Sequence, residues 1–164
     1  MGCAQTSSSP GSSLAFPNPP TLVAVTVAAP FAGADWAYTI PAGVWARLLT
    51  GFCTLATSST VANRLPGLQL QNATPAVIGK GITNTAITAN LTPAITYARA
   101  AGWTLAGGTV GVNLSMPALI LPPGYTIGSI TPLLQAGDQY SAIQLLFEEW
   151  TSLPLFDALT PTLS

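Results

Sequence analysis

Residues 44–57 read VWARLLTGFCTLAT, a run with no proline and one glycine in which apolar side chains dominate. Alternation places Val44, Leu48 and Phe52 on one side of an extended chain and Trp45, Leu49, Cys53 and Leu55 on the other. Both sides are largely apolar, which predicts a central strand with both faces covered. A second period-two run lies upstream, TLVAVTVAA at 21–29. There Thr21, Val23, Val25 and Val27 share one face, and Leu22, Ala24, Thr26 and Ala28 the other.

Further β-compatible runs are expected at 61–71, about 76–90, 109–114, 117–121, 125–134 and 141–150. Turn signals separate them: GKG at 79–81, AGG at 106–108, PPG at 122–124 and AGD at 136–138. Two corners look alike, TIPAGVW at 39–45 and ILPPGYT at 120–126. In each, proline removes a ladder donor and glycine permits a tight turn, so one strand should end and another begin. Many short strands with this punctuation predict an all-β protein, a sandwich or a barrel, and the two corners suit strands that turn between the two sheets of an antiparallel sandwich. PAITYARAAG, 93–102, is the only plausible helical piece.

Composition restricts what such a sandwich can do. The 164 residues hold four Lys+Arg, five Asp+Glu and no histidine, so charged residues are 5% of the chain, against roughly 25% in ordinary soluble proteins. A surface of Ser, Thr, Asn, Gln, Gly and Pro with net charge −1 has little repulsion to keep copies apart. Much of it is expected to be covered by partners. Arg47, Arg64, Lys80 and Arg99 form no cluster for a phosphate backbone, so no nucleic-acid partner is expected. Every apolar stretch is interrupted well short of a membrane helix, so no membrane partner is expected either.

The chain start lacks the basic and apolar regions of a signal peptide. MGCAQT fits a myristoylation pattern at Gly2, with Cys3 as a second acylation site, but so short a pattern recurs by chance. A Cys3–Cys53 disulfide is conceivable, and a buried free thiol is the simpler reading of Cys53. The sequons at Asn72, Asn90 and Asn113 are expected from composition.

Three segments follow: an extended N-terminal arm at 1–20, a β-sandwich at 21–152 and a C-terminal tail at 153–164. The arm, MGCAQTSSSPGSSLAFPNPP, cannot bury enough apolar surface to order alone. A neighbouring chain is the expected clamp, gripping Leu14, Phe16, Pro17, Pro19 and Pro20.

No catalytic chemistry is legible. Histidine is absent, the two cysteines have no metal-site spacing, no serine sits in a G-x-S-x-G elbow, and no glycine run has a dinucleotide or phosphate-loop pattern. Glu148 and Glu149 point to opposite faces of a strand and cannot flank one glycosidic bond. Neither catalytic residues, metal ligands nor a cofactor are expected.

Arg64 stands out in a run of threonine, serine and apolar residues. If 61–70 is a strand, Arg64 shares the apolar side with Ala62, Leu68 and Leu70, where a guanidinium must be paired or reach water. SAIQLLFEEW, 141–150, puts Glu149 on the face of Ile143, Leu145 and Phe147 and Glu148 with Leu146 and Trp150; one of these glutamates, Glu149 ahead of Glu148, is expected to pair with Arg64 across the sheets. The plainer alternative is an exposed Arg64 at a strand end.

These segments also resemble a group of small β-sandwich virion proteins of tailed bacteriophages. The similarity covers roughly residues 36–150. It rests on the Pro-x-Gly corners, on Ser59, Thr60, Val61, Ala62, Asn63, Arg64 and Pro66, and on Gly137-Asp138 with Glu148, Glu149 and Trp150. The resemblance implies a jelly-roll-like sandwich, often a homotrimer, serving as a capsid decoration protein on the major capsid protein at the virion surface, assembled in the host cytoplasm. A tail, fibre or spike component recognising host glycans through Trp36, Trp103 or Tyr125 is the alternative, although core packing explains such aromatics more often.

Overall fold

The computed structural model describes residues 19–98, 111–116 and 118–152. Leu14, Phe16 and Pro17, the acylation pattern with Cys3, Arg99, Trp103 and the tail 153–164 lie outside them. Ten strands run from Thr21 to Trp150, and no helix occurs among the described residues. They are β1 (Thr21–Val27), β2 (Ala37–Thr39), β3 (Trp45–Ala56), β4 (Gly67–Gln71), β5 (Val77–Ile82), β6 (Ala94–Ala98), β7 (Gly111–Ser115), β8 (Thr126–Ile130), β9 (Gln139–Tyr140) and β10 (Ile143–Trp150).

One sheet has the order β1-β10-β3-β6-β7, with β9 paired to β3, and the other has β2-β8-β4-β5. Set aside the short β9 and the added β7, and the first strand pairs with the last and the second with the next to last. The third then pairs with the third from last, and the two central strands with each other. One long antiparallel hairpin rolled into two sheets gives this order, the jelly roll. Among the described residues only β6–β7 is a parallel pair.

β3 is central, as its sequence predicts, lying between β10 and β6. Its faces differ from the simple alternation. The register with β10 slips so that Leu146 faces Thr50 and Phe147 faces Leu48, which leaves Leu49 as an extra residue. A bulge of this kind reverses the parity of everything beyond it. Leu48 therefore shares the core face with Cys53 and Leu55, while Phe52 turns outward. The outward face is only partly covered: Trp45, Arg47 and Leu49 are half-buried and Phe52 is exposed. Gly51 occupies an inward position, where a Cβ would lie 2.8 Å from Leu145 Cδ2.

β1 keeps the expected faces, with Val23, Val25 and Val27 partly buried and Leu22, Ala24 and Thr26 exposed. The two Pro-x-Gly corners become matching turns. Val44 N–H donates to Pro41 and Tyr125 N–H to Pro122, each across a glycine in the left-handed region, Gly43 at φ 74° and Gly124 at φ 79°. The corners also bond each other, Ile40 N–H to Tyr125 O at 2.8 Å and Gly124 N–H to Ile40 O at 2.9 Å. They carry the chain between the sheets at one end of the sandwich.

Other expectations need correction. Residues 61–66 are not strand, because Pro66 cannot donate to a ladder and Arg64 makes only an isolated bridge to Ile87. Residues 118–121 contribute only a bridge from Leu121 to Ala46. The expected run 125–134 stops at Ile130, where a turn closed by Leu134 N–H to Thr131 O takes over. Residues 94–98 of the helical candidate form β6, whose side chains alternate between buried and half-buried.

Candidate functional site

One end of the sandwich gathers the loops that follow β1, β3 and β8, and Arg64 sits among them, 0% exposed. Its partner is Asp138, not Glu149. Arg64 Nε lies 2.8 Å from Asp138 Oδ2 and Nη2 lies 2.9 Å from Oδ1, a bidentate pair. Nη1 donates to Ala62 O at 2.9 Å and Nη2 also to Ser58 Oγ at 3.1 Å. The predicted partner stands at the far end of the sheet, where Glu149 pairs in register with Thr21 and Ala46. Strand parity alone could not separate the two carboxylates, because the segment carrying Arg64 is not a strand.

Asp138 accepts from every side. Besides Arg64, its carboxylate takes Ser58 N–H at 2.8 Å, the Ser58 hydroxyl at 2.9 Å and Gln135 N–H at 2.7 Å. Burial pushes this carboxyl up, but the hydrogen bonds from Arg64, Ser58 and Gln135 outweigh it and hold it at about 2. A second carboxylate works the same end: Asp35 accepts from the Ser129 and Thr131 hydroxyls at 2.7 and 2.9 Å, and Thr131 in turn meets the Tyr140 hydroxyl at 2.6 Å.

The effect of the cluster is to fix loops. Gly33 N–H donates to the Asp138 carbonyl, Leu65 N–H to Pro132 O, and Arg64 grips Ala62. Each loop so held presents an apolar side chain to the outside: Phe31 at 91% exposure, Val61 at 93% and Leu133 at 61%. Leu133 does so from a left-handed backbone, φ 63°, a conformation that costs a branched residue energy and persists only where its surroundings impose it.

The other expected residues are spread out. Pro19 and Pro20 are exposed just before β1. Trp36 is buried, its ring 5.6 Å from that of Tyr97 in an edge-to-face contact, and Tyr125 is partly buried against the core. Glu148 pairs with Arg47 across β10 and β3, and the guanidinium also lies 5.4 Å from the Trp150 ring centre. Cys53 is a free, fully buried thiol pushed up to about 12 by burial. Among the described residues no group of three or more His, Cys, Asp or Glu could hold a metal ion, and no helix is long and apolar enough to cross a membrane.

No family model matches the sequence, and no curated protein matches it. Among solved structures, the infectious bursal disease virus Gx strain structure aligns with 80% of this chain and 32% of its own, at 12% identity and TM-score 0.34. The tobacco streak virus coat protein aligns with 90% of this chain and 99% of its own, at 12% identity and TM-score 0.31. A D431N mutant of the bursal disease virus VP2 protein aligns with 79% and 31%, at 13% identity and TM-score 0.31. The chain thus spans about 32% of the first of these proteins, and the jelly-roll assignment rests on strand order rather than on these alignments.

Proposed function

We propose that this chain is a non-enzymatic virion structural protein, a capsid decoration protein that binds the major capsid protein through the loop end of its jelly roll. The observation that carries this reading is the set of apolar tips, Phe31, Val61 and Leu133, on loops fixed by the buried Arg64–Asp138 pair. Full burial of each tip contributes about 1.5–3 kcal/mol. Much of that offsets the entropy of association, so one copy would hold weakly and several linked copies strongly. A homotrimer would present three such ends to a junction of capsid subunits and stabilise the assembled shell by mass action.

In this reading residues 21–152 are the body. The arm 1–20, with Leu14, Phe16, Pro17, Pro19 and Pro20, and the tail 153–164 serve assembly at the capsid surface. The resemblance to tailed-phage virion proteins supports the phage setting.

The test is co-sedimentation of purified protein with particles that lack it. Replacing Phe31, Val61 and Leu133 together by serine should weaken binding at least tenfold while leaving the unfolding midpoint within a few degrees. Undiminished binding by the folded triple variant would move the contact elsewhere.

A further inference from the structure

The sandwich is not closed along the side where β5 approaches β7. In the register with β4, Gly79 faces Leu70 and Gly81 faces Leu68, so the inward positions of β5 beside two core leucines are both glycine. Among the described residues, a Cβ built on either would meet nothing within 4 Å. The missing side chains leave a groove of about 250 Å³ lined by Leu68, Leu70, Ile78, Leu114 and Leu119. Among the described residues β5 is also an edge strand, paired only with β4, and it exposes Val77, Ile78 and Ile82. Lys80 is its one charge, so little discourages another chain from adding alongside.

We propose that this groove and edge receive the N-terminal arm of a second copy of the chain, with residues 11–16, GSSLAF, added as a strand beside β5. Prolines at 10 and 17 bracket a six-residue stretch able to make ladder bonds, and β5 is 6 residues long. Within the stretch Leu14 and Phe16 fall on one face about 6.6 Å apart, the separation of Gly79 and Gly81. An aromatic or aliphatic side chain set against a cross-strand glycine covers the space that the glycine leaves open. No side chain in residues 1–20 is charged, so residues 11–16 bring no charge to be desolvated in the apolar groove.

Distance favours a second copy over the same one. The arm joins the body at β1, and β7 lies four strand spacings away in the same sheet, about 19 Å through the body. The five residue steps from Phe16 to Thr21 span at most about 18 Å fully extended, and the path around the sandwich is longer. An arm that leaves one edge and enters a neighbour's opposite edge makes a head-to-tail contact, which closes into a ring when the rotation permits. The inference rests on the virion reading only in placing copies side by side.

The test uses the full chain with Cys3→Ser, in two differently tagged forms, one with Ala15→Cys and the other with Lys80→Cys. After mixing, a short bismaleimide, whose reach tolerates a slip in register, should link the two forms into a heterodimer. A second arm fills the groove with Gly79→Val and Gly81→Val. These should weaken self-association at least tenfold, measured by sedimentation velocity, without lowering the unfolding midpoint. Absence of mixed cross-links, linking only within a chain carrying both cysteines, or self-association unchanged by the filled groove would each overturn the proposal. Loss of particle binding with cross-linking intact would instead sink the decoration reading alone.

Discussion

Replacing Asp138 by asparagine keeps the shape of the side chain and removes its charge. Arg64 then remains 0% exposed with no counter-ion, and the Ser58 and Gln135 N–H groups compete for a weaker acceptor. Breaking a buried pair from one side costs about 3–5 kcal/mol, a large share of the roughly 5–15 kcal/mol that holds a typical domain together. At about 2–4 °C per kcal/mol for a chain of this size, the midpoint should fall by about 6–20 °C. Urea unfolding followed by tryptophan fluorescence at pH 7 reads the loss, at one chain concentration because association adds stability. Lys80→Ala, on an exposed side chain, is the control and should change stability by no more than about 0.5 kcal/mol. Adding Arg64→Met to Asp138→Asn removes the stranded charge and should recover more than about 1 kcal/mol. If Asp138→Asn costs no more than the control, the pair does not hold the loops and the reasoning fails.

Three further outcomes follow from the same structure. Asp138 is held at about 2 against an ordinary 3.8; the folded form therefore releases its proton more readily than the unfolded chain. The stability it adds, about 2 kcal/mol, is whole above pH ~4 and disappears as pH falls through 2. Acid titration of the wild type should show this loss, and the Asp138→Asn variant should be flatter over the same window. Gly51→Ala sets a Cβ against Leu145 and Tyr97 at 2.8 and 3.2 Å and should cost about 1–3 kcal/mol by overpacking, read as a lower urea midpoint. In a Cys3→Ser background the Cys53 thiol should resist labelling until the protein unfolds, since it is buried and pushed up to about 12; rapid native labelling would contradict its placement.

The strands were legible where one face is apolar and the other polar. In β1 the valines mark the inward face, and in β10 Ile143, Leu145 and Phe147 do the same. The Pro-x-Gly corners announced the turns between sheets, because glycine at positive φ is a local requirement. β3 shows the limit: nothing in its composition locates the bulge at Leu49, which depends on pairing with β10 and reverses the faces beyond it. β2 and β9 are too short, at three and two residues, to show a period. For Arg64 the need for a buried partner was readable from its apolar neighbours, but its choice was not. Asp138 lies 74 residues away in a turn, and only the closure of the jelly roll brings that turn beside the loop after β3.

The most direct test of the decoration reading is the copy number and position of this chain in an image reconstruction of virus particles purified with it. The account predicts a stoichiometry comparable with that of the major capsid protein, at threefold or quasi-threefold positions, with Phe31, Val61 and Leu133 turned toward the shell. A handful of copies at the tail, or a shell contact made by the opposite end of the sandwich, would contradict it.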